Sequence, residues 1–152
     1  MTKPASKRSQ SRSVARLAAV QALYQIGMEE ISVERLLKEF HDHRLGAEIE
    51  DAQYADADAD FFDDIVIGVN KRRDEINAVI ESKLDEKWKL ERLDITMRQI
   101  LRSGVYELIA RADVPTATII NEYLDVAHAF FDEKEAKFVN GLLDAVAKEK
   151  RS

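Results

Sequence analysis

The chain has 152 residues, of which 45% are hydrophobic and 34% are charged, and it contains 5 Gly, 2 Pro and no Cys. This length and apolar content are typical of one folded domain, and the absence of Cys excludes disulfides, iron–sulfur clusters and thiol nucleophiles. No apolar run approaches the roughly 18 residues that span a bilayer, and no apolar segment follows the basic N-terminus as in a secretory signal, so we expect a cytoplasmic protein without a membrane segment.

The formal net charge of −6 is unevenly distributed along the chain. The first carboxylate is Glu29, and all charged side chains before it are cations: Lys3, Lys7, Arg8, Arg12 and Arg16. This asymmetry predicts a basic segment that binds a polyanion and is attached to an acidic body. The alternative is a solvated terminus without a binding role, because short basic termini are common.

The first half of the chain predicts a flexible basic arm followed by helices. Residues 1–10 are polar and lack a periodic apolar pattern, as an unstructured arm does. Apolar residues then recur at three- and four-residue steps, which predicts a helix over about 11–27 that ends at Gly27. Ser32 is a favourable N-cap for a second helix. After an acidic loop, a long third helix is predicted from about Asp60 to Leu84.

The second half of the chain predicts a short turn or helix around Trp88 and three further helices. Their start signals, in chain order, are Asp94 or Thr96, then Pro115, then the capping-box-like pair Asp132 and Glu135. No segment alternates apolar and polar residues in the way a half-buried strand does. The predicted fold is therefore all-α, a bundle of six to seven helices, with a single all-helical domain over residues 11–150.

Few patterns in the sequence are typical of catalysis, metal binding or cofactor binding. The glycines are scattered singly, so no phosphate-binding glycine loop is present. Asp56, Asp58 and Asp60 imitate the start of a calcium loop, but Phe61 and Ile67 stand where glycine and glutamate are needed. The three histidines have no obvious third ligand beside them. We therefore expect no catalytic residues, no metal and no cofactor, and a protein that is not an enzyme.

Several residue strings resemble those of the NusB family of bacterial transcription antitermination and termination factors. The two most specific are Ala19–Tyr24, which reads AVQALY, and Lys137–Asp144, which reads KFVNGLLD. Between them lie Ile100–Leu108 with ILR and VYEL, the DVP of residues 113–115 and the INE of residues 120–122. The resemblance extends from about residue 12 to residue 147. The order and separation of the two long strings make it specific.

This resemblance implies a helical fold of two packed three-helix groups and no catalysis. It implies binding of the boxA stretch of nascent, single-stranded RNA, jointly with NusE, a protein of the small ribosomal subunit. The complex joins RNA polymerase in antitermination and supports ribosomal RNA synthesis. The alternative function is a helical protein-docking adaptor that makes no direct RNA contact.

The resemblance also assigns RNA contacts to individual residues. Arg12 and Arg16 match arginines of the family's basic motif, while Ser13 and Val14 stand where further arginines are often found, so Lys7 and Arg8 compensate from upstream. In the body of the chain the candidates are Tyr24, Arg102, Lys137 and Phe138. Tyr24 and Phe138 lie within apolar patterns, so core packing is the alternative role for both. Lys134, where the family carries an acid, either adds a phosphate contact or is a solvated charge.

Overall fold

The computed structural model describes residues 4–43, 57–85 and 89–151, with side chains from residue 9 onward. In these ranges it has seven α-helices, one short 3-10 helix and no strand, which confirms the predicted all-α class. The helices are α1 Pro4–Glu29, α2 Val33–His43, α3 Ala59–Lys71, α4 Arg73–Ser82, the 3-10 helix Leu90–Arg92, α5 Ile95–Ala110, α6 Thr116–Phe130 and α7 Glu133–Lys150. The chain divides into two compact units, residues 1–67 and 68–152.

Helix α1 is longer than predicted at both ends. It begins at Pro4, so residues 4–10, predicted to be a flexible arm, form its first turns. Proline suits a first turn because it has no N–H to leave unpaired and its φ is already helical. Gly27 does not end the helix, which continues to Glu29. Glu30 then turns the chain with a φ of 54°, while its N–H still bonds the carbonyl of Ile26.

The first unit is organised around aromatic rings. The Ser32 hydroxyl accepts a hydrogen bond from the backbone N–H of Arg35 at 3.1 Å, which confirms Ser32 as the N-cap of α2. This cap places Leu36 and Phe40 on the buried side of the helix. Phe40 stacks on Phe62 of α3 with ring centroids 5.2 Å apart. An offset aromatic pair of this kind adds to the stability that burial alone provides.

The predicted long helix from Asp60 to Leu84 is wrong, because the structure has two helices there. Arg72 lies between α3 and α4 with φ −106° and ψ 22°, outside the helical region. Its guanidinium binds the Glu75 carboxylate through Nε at 2.8 Å and Nη2 at 2.9 Å. Acidic side chains in the first turn favour a new helix N-terminus, and α4 has Asp74 and Glu75 there. The apolar periodicity continues across this break, so it cannot reveal it.

Helix α5 is the centre of the second unit, with ten of its sixteen residues buried. Asp94 is its cap, because the carboxylate accepts hydrogen bonds from the N–H groups of Thr96 at 2.8 Å and Met97 at 3.2 Å. The α7 start is also as predicted, since the N–H of Asp132 donates to the Glu135 carboxylate at 3.1 Å. The sequence predicts a short turn or helix around Trp88, which lies outside the described residues. Directly after it the structure has the 3-10 helix Leu90–Arg92.

In the second unit, Arg151, directly after α7, connects the end of that helix to the end of α5. Its guanidinium donates five hydrogen bonds of 2.7–3.2 Å to the α5 C-terminus and the turn that follows. The acceptors are the carbonyls of Glu107, Leu108, Arg111 and Val114 and the hydroxyl of Thr116. The carbonyls of Glu107 and Arg111 also accept backbone N–H groups, from Arg111 and Val114, so Arg151 adds to the hydrogen bonds at this helix end. No helix of the described residues is long and apolar enough to cross a membrane.

Candidate nucleic-acid interface

The basic N-terminal segment supplies two arginines whose positions are described, Arg12 and Arg16. Being four residues apart on α1, they lie on one helix face, as the sequence predicts. Both guanidinium carbons lie over the ring of Phe61, 4.5 Å from its centroid for Arg12 and 4.7 Å for Arg16. Such distances are typical of cation–π contacts. Lys3 lies outside the described residues, and Lys7 and Arg8 occupy the first turns of α1.

The two arginines differ in their access to solvent. Arg16 is only 2% exposed, so its placement does not fit the predicted phosphate contact and fits a role in holding α1 against α3. The Arg12 side chain is 19% exposed and its Nε lies 3.7 Å from Asp58 Oδ2. That Nε is buried and makes no hydrogen bond. Asp58 also caps α3 by accepting the N–H of Phe61 at 3.0 Å, so Arg12 has a weakly engaged guanidinium at the surface.

The two aromatic candidates are exposed. Tyr24 on α1 is 40% exposed and Phe138 on α7 is 38% exposed. The structure therefore places neither ring in the core, where the alternative role would require both to lie. Exposed aromatic rings on a protein rich in buried apolar residues are suited to contact another molecule.

Phe138 borders a cleft of about 580 Å³ within the second unit. The cleft lies between the end of α4, the segment that leads into α5, and the first turns of α7. Its apolar wall is formed by Leu84, Leu93, Met97, Phe131 and Phe138. A mostly apolar cleft with a few charged groups at its edge is the usual form of a small-molecule or base-binding site.

The charged side chains that line the cleft are three cations and three carboxylates: Lys83, Arg92, Lys134, Asp85, Asp94 and Glu135. Two of its carboxylates are engaged in helix capping, since Asp94 caps α5 and Glu135 binds the N–H of Asp132. Lys83 is paired with Glu149 at 2.9 Å. Arg92 and Lys134 line the cleft as well, and neither forms an ion pair within the described parts of the chain. The cleft therefore combines stacking surface with cations that are available to an anion.

Arg102 is the remaining predicted cation, and it lies half-buried on α5. Its Nε donates to the Asn77 side-chain oxygen at 2.9 Å, and its Nη1 lies 3.4 Å from that of Gln99. Burial lowers the pKa of Arg102 to about 10, and the charges of Arg73 and Arg98 act in the same direction. Neutral amides thus orient this guanidinium without neutralising it. Lys137, the last candidate, is exposed on α7 beside Phe138.

No group of three or more potential metal ligands occurs among the described residues. His41 Nε2 lies 2.7 Å from Asp63 Oδ1, and His128 Nε2 lies 3.8 Å from a carboxylate oxygen of Glu133. His41 and His128 therefore each have one carboxylate within ion-pair distance among the described residues. Asp56, part of the imitated calcium loop, lies outside the described residues.

Three arginines near these sites are missing from the sequence candidates: Arg73, Arg92 and Arg98. The sequence contains a signal for Arg98, because it precedes Arg102 by four residues and so shares its helix face. It contains none for Arg73 or Arg92, which approach the sites only through tertiary packing. The structure thus brings together Phe138 with the cations of the cleft, and Arg102 with Arg73 and Arg98.

Comparison with known proteins places the chain among transcription factors. The model of the NusB family matches residues 13–148. The transcription antitermination protein NusB of Novosphingobium aromaticivorans is 64% identical over 141 residues, covering 93% of this chain and 95% of that protein. The protein of the same name from Sphingopyxis alaskensis is 63% identical over 146 residues, covering 96% of this chain and 98% of its own length.

Solved structures agree with this sequence relationship. NusB of T. maritima superimposes with a TM-score of 0.77 at 29% identity, covering 100% of this chain and 96% of that chain. A second match is a chain from the crystal structure of the antitermination factors NusB and NusE in complex with double-stranded RNA. It has a TM-score of 0.72 at 27% identity and covers 94% of this chain and 97% of that chain.

Proposed function

This chain belongs to the NusB family, and from that premise we propose that it is a non-enzymatic, RNA-binding transcription antitermination factor. It binds boxA RNA together with the ribosomal protein NusE, and it acts on RNA polymerase during ribosomal RNA transcription. Two relatives at 64% and 63% identity carry the antitermination name, and a structural neighbour was crystallised with NusE and RNA. The protein acts in the cytoplasm, where transcription takes place in bacteria.

The single observation that carries the proposal is the cleft beside Phe138. A half-exposed aromatic ring borders an apolar wall, and Arg92 and Lys134 stand at its edge without carboxylate partners in the described chain. Single-stranded RNA is bound by aromatic side chains that stack on its bases and by cations that contact its phosphates. The cleft provides both kinds of group, because Phe138, Arg92 and Lys134 all line it.

The predicted site residues take distinct roles in this proposal. Phe138 and Tyr24 stack on bases, and the cations contact phosphates: Lys3, Lys7, Arg8, Arg12, Arg102 and Lys137. Arg16 is a positioning residue, because its buried guanidinium lies over Phe61 and supports the segment that carries the others. Arginine is well suited to the contacting positions, since its planar group pairs with phosphate and also stacks.

The charge distribution supports a joint complex with a basic protein. After residue 28 the chain holds all 29 of its carboxylates. A negative surface repels RNA wherever cations are absent, so it confines the RNA to the basic sites. The same surface attracts a basic ribosomal protein such as NusE, so the two partners are expected to occupy different regions.

Titration of the full chain with a fluorescently labelled boxA RNA tests the proposal. If three to five of the six cations assigned to phosphates are engaged at once, the plot of log affinity against log salt has a slope of roughly −2 to −3.5 for single-stranded RNA. The triple variant Lys3→Gln, Lys7→Gln, Arg8→Gln is expected to make that slope shallower. A duplex of the same sequence and a scrambled single strand are the controls. NusE is expected to tighten binding to boxA and not to the scrambled strand.

An RNA affinity that does not respond to salt would contradict a phosphate-binding role. The alternative function, a protein-docking adaptor, has one observation in its favour. Tyr24 and Met28 lie one turn apart on α1 and are both exposed, which forms a small apolar patch suited to a protein partner. NusE binding that is lost on Tyr24→Ala while boxA affinity stays unchanged would assign Tyr24 to the partner.

A further inference from the structure

Three arginines, Arg73 of α4 and Arg98 and Arg102 of α5, lie where these two helices pack together. Arg98 and Arg102 lie four residues apart on α5, and Arg73 is the first residue of α4. Arg98 is one turn from Arg102, and Arg73 is one turn from Asn77, which binds Arg102 at 2.9 Å, so both charges act on Arg102. None of the three forms an ion pair with any residue that the structure describes. The repulsion at the half-buried Arg102 is unfavourable, and a bound anion would offset it.

Some N–H groups of these arginines have hydrogen-bond acceptors and others have none among the described residues. Asn77 holds the Nε of Arg102 at 2.9 Å and Gln99 lies 3.4 Å from its Nη1. The Nη2 group of Arg102 has no acceptor among the described residues. The Nε of Arg98 is buried and also has no acceptor there. Buried N–H groups are nearly always paired, so the Nε of Arg98 indicates a missing acceptor, and the Nη2 of Arg102 is open to the same acceptor.

The position of Arg73 adds to the unfavourable charge. It stands in the first turn of α4, where the helix dipole is positive and favours an anion. Asn77 lies one turn further along α4, so Arg73 and the amide that orients Arg102 share one helix face. An anion bound here would therefore reduce the repulsion among the cations and accept hydrogen bonds from the donors that lack them.

We infer that Arg73, Arg98 and Arg102 form one phosphate-binding site, in which Asn77 orients Arg102 and the ligand is a backbone phosphate of bound RNA. This inference rests on the proposed function and adds Arg73 and Arg98 to it. A phosphate diester offers two unesterified oxygens, which accept hydrogen bonds from two guanidinium groups at once. In a chain of net charge −6, three unpaired arginines at one place form a local positive site that a polyanion finds readily.

Arginine-to-glutamine variants of the full chain test the site with the labelled boxA RNA. Arg98→Gln and Arg102→Gln are each expected to weaken binding about tenfold, as loss of a charge-assisted hydrogen bond does. Each is also expected to make the salt slope shallower by about 0.7. The double variant is expected to lose less than the product of the two, because both contact one phosphate. Arg98→Lys keeps the charge and is expected to keep the salt slope.

The matched control is Arg35→Gln, which removes one exposed arginine of α2 that forms no ion pair among the described residues. It is expected to change the affinity less than twofold. The melting temperature is measured for every variant, and Arg98→Gln is expected to keep or raise it, because it removes like-charge repulsion. A melting temperature that falls equally in Arg98→Gln and Arg98→Lys, with RNA affinity preserved in the folded protein, would show a structural role and overturn the site.

The remaining outcomes separate this inference from the proposed function. If the unchanged chain binds no RNA at any salt concentration, with or without NusE, the proposed function fails. If that chain binds RNA and the Arg98 and Arg102 variants behave as Arg35→Gln does, only the phosphate site fails. If these variants keep RNA affinity and lose NusE binding, the face belongs to the protein partner and the site is again overturned.

Discussion

Phe138→Ala separates a binding role from a packing role at one residue. The side chain is 38% exposed, whereas Phe62 in the first unit is fully buried. Truncating a fully buried Phe costs about 3–5 kcal/mol. Because more than a third of Phe138 is in solvent and the variant opens no closed cavity, we expect a loss of about 1–2 kcal/mol. That is small against the 5–15 kcal/mol typical of a domain, so the variant stays folded.

The expected loss of RNA-binding free energy is similar in size to the loss of stability, but it appears as a large change in the measured affinity. A stacked base contributes about 1–3 kcal/mol, so the affinity should fall by a factor of roughly 5 to 150. The melting temperature should fall by only about 2–8 °C for a chain of this length. Both quantities are measured on the same preparation, by thermal unfolding and by titration with labelled boxA RNA below the melting range.

Phe130→Ala is the matched control for this experiment. Phe130 is 41% exposed and lines a different surface depression at the end of α6, so its loss should affect stability similarly and leave RNA affinity unchanged. A collapse in the melting temperature of Phe138→Ala, with unchanged RNA affinity in its folded fraction, would refute the argument. Equal affinity losses in the two variants would refute it as well, because the effect would not be specific to the cleft.

Three further predictions concern stability. Arg151→Ala should lower the free energy of unfolding by about 3 kcal/mol in urea denaturation, because five hydrogen bonds to the end of α5 are lost; Lys150→Ala, an exposed neighbour, should stay within about 0.5 kcal/mol of the unchanged chain. Arg16→Met should lower thermal stability and leave the salt slope of RNA binding unaltered, and a shallower slope would return Arg16 to the phosphate contacts. The hydrogen bond from Lys83 lowers the pKa of Glu149, so this pair stabilises the fold above the ordinary carboxyl pKa of about 4.5 and loses its effect as the pH falls through the lowered pKa. The difference in melting temperature between the unchanged chain and Lys83→Gln should therefore shrink between pH 7 and pH 3, and a constant difference would contradict the pairing.

Features that depend on residues within one or two helical turns could be predicted from the sequence. Ser32 caps α2 and Asp94 caps α5 because a short polar side chain reaches N–H groups only two or three residues ahead. The pairing of Asp132 with Glu135 at the start of α7 has the same local origin. The apolar periodicity that marks the helices, apart from the break between α3 and α4, is likewise a property of each segment alone.

Features that depend on contacts between distant segments were decided only by tertiary structure. The periodic pattern runs through Arg72, so the break between α3 and α4 has no local apolar signature. Arg16 and Arg12 occupy one helix face and both lie over Phe61, yet Arg16 is 2% exposed and the Arg12 side chain is 19% exposed, a difference that helix spacing does not predict. The sequence of one helix does not determine whether a cation on its surface is buried, because burial depends on which other helix packs against it.

The candidate site divides in the same way. The sequence strings that resemble the NusB family select Phe138 and Arg102, and helix spacing relates Arg98 to Arg102. The exposure of Phe138, the cleft beside it and the approach of Arg73 to Arg102 arise when α4, α5 and α7 pack together. Helix propensity acts over about four residues, whereas a binding site is formed by side chains that are separated by tens of residues along the chain and meet only in the folded unit.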